Sequence, residues 1–328
     1  MVKNIIEYFK GLHFVRLVIV ILKRITLPGF DNIPIFFVGE FFLKGVFKGD
    51  ISQRAAALSF TFLLAIFPAL LSFFSLIPYI PISNFQPMLL GFLEGLIPQS
   101  TWSVIERIII DIVSMPRGGL LSISFLFSIY LASNGMMAVS KAFNRSFYQI
   151  ETRSAIKQRL YSLLLVSIIA LLIILSIVSI ALGRFFINYL EVKHILTGAF
   201  AVYLLVFLKW IIVMMLVFFA ISFIYYVAPS NKKYYRFVSA GSSLATIMSL
   251  FLLVGFDFYI SSFTRYNALY GSIGTLIVIM MWLYFNSIAL LIGFELNVSI
   301  LKARQRIAHF NNVAEKKKKT QSFPEIDK

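Results

Sequence analysis

The strongest constraint on this chain is a series of apolar runs, each long enough to cross a bilayer, separated by shorter stretches that carry most of its lysines and arginines. Crossing the hydrocarbon core takes about 20 apolar residues at a helical rise of about 1.5 Å. Six runs meet that length: Ala55 to about Tyr79, about Leu120 to Val139, about Tyr161 to Leu182, Ala199–Val227, Phe237 to about Phe263, and Ile273–Leu301. In lipid each backbone N–H and C=O must be satisfied within its own segment, so spans of this kind are helices. The expected fold class is an all-α integral membrane protein: a six-span transmembrane helix bundle with interfacial amphipathic helices. Only 13% of the 328 residues are charged, against about 25% in a soluble domain. Lipid is therefore the solvent for much of this surface.

The basic residues fix the expected orientation. Eight fall on residues 1–54, five in 141–160, three in 228–236 and eight after Leu301, which makes 24 on one side. The other side holds Arg107, Arg117, Arg184, Lys193 and Arg265, and Lys209 lies within a span. Positive residues stay in the cytoplasm, so both termini are expected there, in a bacterial cytoplasmic (inner) membrane. The net charge of +16 is thus mainly a topology signal. Anionic lipid headgroups are the partner it implies.

Three segments flank the spans. In residues 1–50 the run Leu17–Leu22 is too short to cross and has no small-residue cleavage site after it. Interfacial amphipathic helices are expected at about 3–25 and 34–47. Between the first two spans, Val104, Ile105, Ile108, Ile109 and Ile112 recur on one helical face, with Glu106, Arg107 and Asp111 opposite. An outer amphipathic helix at about 100–115 follows. Residues 306–328 include Lys316–Lys319 and are expected to form a basic, disordered cytoplasmic tail. Without aromatic interleaving the tail offers nucleic acid no platform.

Enzymatic chemistry finds little support. There is no cysteine, and His13, His194 and His309 fall in separate regions, so no metal or cofactor is expected. The polar residues within the spans are the candidates instead. A lysine at the centre of a span costs roughly 2.5–3.5 kcal/mol, so Lys209 needs a partner or a cavity. It lies about ten residues, or roughly 15 Å, into its span, and Asp257 lies roughly 9 Å from the same side. The two residues form either a structural ion pair or a solute contact or proton relay. Asn134, Asn286 and the helix-kinking Pro68 join them as candidate pathway residues, with interhelical packing as the simpler role. Glu295 shares its depth with Arg54, with Arg145 and Lys141 near in height. A salt bridge between the first and last spans is one role, a cytoplasmic gate opened by protonation the other.

Several stretches carry a family likeness. They are Asp50-Ile-Ser-Gln-Arg-Ala-Ala-Ala-Leu-Ser-Phe60 leading to Phe67-Pro68, Tyr270-Gly-Ser-Ile-Gly274, Met281-Trp-Leu-Tyr284 and Leu291-Ile-Gly-Phe-Glu-Leu-Asn297. In this order and spacing, over about residues 35–305, the chain resembles the YihY/virulence factor BrkB family of bacterial inner-membrane proteins. The resemblance implies six spans and a role in transport or in lipid and envelope homeostasis. Members have often carried a ribonuclease label, for which this sequence supplies no general acid–base pair or metal-ligand cluster.

Two functions remain in view. One is a transporter or flippase-like protein for a small or amphipathic anionic solute, which requires Lys209 and Glu295 to line one continuous cavity. The other is a non-transporting scaffold or lipid-interacting protein of the envelope. No ATP-binding motif is present, so transport would draw on a gradient or run downhill.

Overall fold

The computed structural model describes residues 20–76, 90, 110, 118–146, 153–192, 199–230, 236–262 and 264–321. Side chains at some positions inside the helices, Lys209 and Asp257 among them, lie outside the described set. The helices are α1 (Ile35–Lys48), α2 (Ile51–Leu76), α3 (Gly118–Asn144), α4 (Ala155–Val192), α5 (Ala199–Val227), α6 (Ala240–Ser262) and α7 (Thr264–Gln321). Five of them (α2, α3, α4, α5 and α7) carry stretches long and apolar enough to cross a membrane, and α6 carries a shorter apolar stretch, Ala240–Phe256. The chain is an all-α membrane bundle.

The spanning helices pack in chain order, each against the next from α2 to α7, and α7 closes the ring against α2. From α3 onward short connections explain the order, since a helix that turns back in the membrane lands beside its predecessor, whereas α2 and α3 pack together although 41 residues separate them. Outside the ring α1 lies on α7, where Ile33, Val38, Ile300 and Ala303 form a small core of their own. The turn leading into α1 holds Gly29, Asp31 and Asn32 at positive φ, residue types that tolerate the left-handed region.

The core is apolar, as in a soluble protein, but the outer surface is apolar as well. Tyr203, Phe251 and Leu126 are more than 65% exposed, while Ser59, Ser140, Ser222, Ser287 and Ser299 are buried between helices. Lipid accepts the large apolar groups, and small residues let the helices approach closely. The tightest such contact is between α6 and α7, where a Cβ added at Gly241 or Gly293 would overlap the facing backbone.

Several boundaries differ from expectation: α7 begins at Thr264, nine residues before its expected start, and α4 at Ala155, six before. α7 runs 58 residues, roughly 87 Å, so the segment expected to be disordered after residue 305 is helical to Gln321. Its Ala, Glu, Gln and Lys are strong helix formers, which extend the span past the bilayer. α4 likewise continues to Val192, ten residues beyond its expected end. The expected helix at 3–25 is described only from residue 20, and of the outer helix at 100–115 only Ile110 is described.

Candidate functional site

The polar centre of the described structure lies at the basic end of the ring. Arg54, on the first turn of α2, donates from Nη1 to the Ala142 carbonyl at 2.8 Å. That carbonyl belongs to the last turn of α3, where helix geometry leaves acceptors open. The same guanidinium places Nη2 3.7 Å from Glu295 Oε2 on α7. Glu295 has no exposed surface, and its Oε2 accepts a 2.9 Å hydrogen bond from Ser146 Oγ, just past α3. Glu295 Oε1 and Arg54 Nε and Nη2 have no hydrogen-bond partner among the described residues.

Two glycines of α1 and its exit cover this pair. A Cβ at Gly45 would overlap the Glu295 carboxyl group, and one at Gly49 would come 3.1 Å from Arg54 Nη2. Arg145, expected near Glu295, is exposed and takes no described part; Ser146 supplies the α3 contact instead.

Beside Glu295 the ring is plugged by aromatic rings. Phe143 and Phe294 stack with centroids 3.9 Å apart, and Tyr225 meets both edge-on. The Tyr225 hydroxyl donates to the Leu290 carbonyl at 2.6 Å. Beyond the plug an apolar cleft of about 360 Å³ lies among α2, α5, α6 and α7. Phe62, Val213, Ile221, Leu253, Trp282 and Asn286 contribute to its walls, with Ser249 and Ser287 as further polar points. Along α7 the cleft reaches Leu290, five residues or roughly 7.5 Å before Glu295, and Asn286 lies a turn further in. Its side-chain N–H donates to its own Trp282 carbonyl at 2.9 Å.

Glu295 is not among the described residues that line this cleft. The aromatic plug and Gly45 enclose it, and the cleft is built from other residues. Pro68 lies elsewhere again, in a groove of about 260 Å³ between α2 and α3 with Phe67, Leu71 and Ile123. Asn134 accepts from Arg159 Nη1 at 2.8 Å, a contact between α3 and α4 outside the cleft. Lys209 and Asp257 are on α5 and α6 respectively, and their side chains fall outside the described residues.

Several basic residues of the charged stretches do more than set topology. Arg153 donates to the carbonyls of Val227 and Pro229 at the end of α5, and its guanidinium lies 4.2 Å from the Tyr161 ring centroid. Burial there holds its pKa below the usual guanidinium range. Arg159 reaches Ser133 as well as Asn134 and lies over Tyr130. Asn297 on α7 accepts from Gly241 N–H at 2.9 Å and donates to Ser239 Oγ, the N-cap of α6. Sequence spacing carries no mark of the Arg153, Arg159 and Asn297 contacts, because each joins residues far apart in the chain.

The fold and its enclosed polar end define a polytopic α-helical membrane protein. The chain belongs to the family described as Virulence factor BrkB, which matches residues 42–320. It is 31% identical over 272 residues to the ribonuclease-like protein YfkH of Bacillus subtilis, covering 80% of this chain and 96% of that protein. A UPF0761 membrane protein of Vibrio parahaemolyticus is 23% identical over 80% of this chain and 81% of its own. Another, from Alkalilimnicola ehrlichii, is 26% identical over 78% of this chain but 57% of its own length. No solved structure matches the chain.

Proposed function

We propose that this protein moves an amphipathic, lipid-like solute in a bacterial cytoplasmic membrane, with its basic end in the cytoplasm. The observation that carries this reading is the apolar cleft of about 360 Å³ among α2, α5, α6 and α7. Its walls suit an acyl chain or another apolar body, and its described lining includes no charged side chain that would select a free small anion. Lys209, one helical turn before the cleft residue Val213 on α5, is the proposed contact for an anionic head, with Asp257 as its counter-charge. The aromatic plug then separates the solute from the basic end.

Nuclease chemistry, suggested by the name of the Bacillus relative, is not part of this reading. The described residues bring no three His, Cys, Asp or Glu together as a metal site.

The scaffold alternative draws on a different observation. A buried Arg54–Glu295 pair joining α2 to α7, with Ser146 adding α3, is what a static bundle would use to hold its ring closed.

Native mass spectrometry of the purified protein separates the two. Wild type should retain a lipid after gentle detergent removal. Ala220 is a further wall residue of the cleft. Ala220→Trp, which fills the cleft, and Lys209→Ala, which removes the head contact, should both lose the lipid. Equal retention by all three proteins would place bound lipid outside the cleft and favour the scaffold.

A further inference from the structure

We propose that Glu295 is a proton-binding site and that α1 is the lid its protonation releases. The inference stands whatever the cleft carries.

The geometry is that of an incompletely compensated carboxylate. Arg54 commits Nη1 to the Ala142 carbonyl and offers Glu295 only a 3.7 Å approach, too long for a hydrogen bond. Ser146 serves Oε2, and Oε1 is enclosed with no hydrogen-bond partner among the described residues. Strong arginine–carboxylate pairs are frequently bidentate, with two short parallel bonds. Among the described residues one carboxylate oxygen has no hydrogen bond and can take a proton, and Arg54 Nε and Nη2 have none and can take water.

The surrounding charges leave no other described acceptor in the cluster. From α2 the only charged neighbour is Arg54, on which Asp50 acts from the α1–α2 junction. From α1 the facing residue is Gly45, while Lys44 is exposed and paired with Glu40, and Lys48 is exposed. At the end of α3 Lys141 and Arg145 are exposed, and Ser146 faces the carboxylate.

The consequence of protonation follows from charge. A proton on Oε1 neutralises Glu295 and leaves Arg54 as a buried cation without its counter-ion. The guanidinium then gains most by hydration. The cover over it is α1, seated through Gly45 on the carboxyl group and followed by Gly49 beside Nη2. Lifting α1 admits water to Arg54 and opens the basic end beside the aromatic plug. Deprotonation restores the pair and reseats the helix.

Two readouts on the full-length protein in lipid nanodiscs test this, and neither needs a solute. Difference infrared spectroscopy over about pH 5 to 9, a range that buried carboxyls reach, should show a protonated-carboxyl band that Glu295→Gln removes. Ser146→Ala, which deletes one hydroxyl and no charge, should change the frequency of the same band, so the assignment survives if Glu295→Gln fails to fold. Hydrogen exchange, corrected for intrinsic rates, should show protection of Ile35–Lys48 falling at least tenfold across the same titration. In Glu295→Gln that protection should be low at every pH. The proposal is overturned if no band responds to either substitution, or if α1 protection is the same at both ends of the pH range in wild type. Loss of lipid retention in Ala220→Trp with the titration intact would bear on the cleft alone.

Discussion

Arg54 Nη2 stands 3.7 Å from Glu295 Oε2 while Nη1 of the same guanidinium holds the Ala142 carbonyl at 2.8 Å. One arginine thus ties α2 to both α3 and α7, and α7 is the helix that closes the ring. Removing one member of a buried pair strands the other charge, at a cost of about 3–5 kcal/mol. Arg54→Met and Glu295→Leu should each lower thermal stability in detergent strongly. The double variant should recover part of that loss, because the stranded charge is gone. Additive losses would mean that the two side chains are not coupled.

The α1 seat makes a second prediction. Gly45→Ala pushes a Cβ into the Glu295 carboxyl group, an overlap expected to cost about 1–3 kcal/mol. Gly39→Ala, on the same helix with open space around it, should be neutral or stabilising by up to about 1 kcal/mol through helix propensity. Equal melting temperatures for the two variants would contradict the packing of α1 on Glu295.

Arg153 should behave as a cap and not as a topology charge alone. Arg153→Ala strands the Val227 and Pro229 carbonyls at the end of α5 and removes the stack on Tyr161. A loss of about 1–3 kcal/mol is expected. Arg153→Lys keeps the positive charge yet should recover little, since an ammonium cannot fork between two carbonyls and stack on a ring. Thermal melts of the two variants check this.

On the exposed side of α1 the hydrogen bond from Lys44 lowers the Glu40 pKa, with the positive charges of Lys44 and Arg306 adding to it. A depressed folded-state pKa contributes stability above the unfolded value, and the contribution is lost as pH falls through the folded one. For a half-exposed pair four residues apart it is only about 0.3–0.5 kcal/mol. Glu40→Gln should therefore weaken α1 protection slightly at neutral pH. As pH falls through the lowered Glu40 pKa, wild type and variant should converge.

The spans were legible because bilayer thickness sets their length and lipid excludes charge, so apolar runs such as Ala199–Val227 declare themselves. The nearness of Arg54 and Glu295 was also legible, since depth along two helices that run in opposite directions follows from residue counting. What counting could not give was which residues face each other around the ring. Arg145 and Ser146 are adjacent in sequence, yet only Ser146 turns to Glu295. Gly45 could not be read as its cover, because a glycine marks a close approach without naming what approaches. The cleft was hidden for a related reason. Val213, Leu253 and Trp282 are ordinary lipid-facing residue types, and only the ring geometry turns them into a wall.

The measurement that tests the central claim most directly is the movement of a headgroup-labelled anionic phospholipid between leaflets of proteoliposomes, wild type beside Ala220→Trp. The cleft account predicts that wild-type protein speeds the exchange well above protein-free vesicles and that the cleft-filled variant loses most of this rate while remaining folded. Wild-type vesicles no faster than protein-free ones, or a variant as fast as wild type, would contradict it.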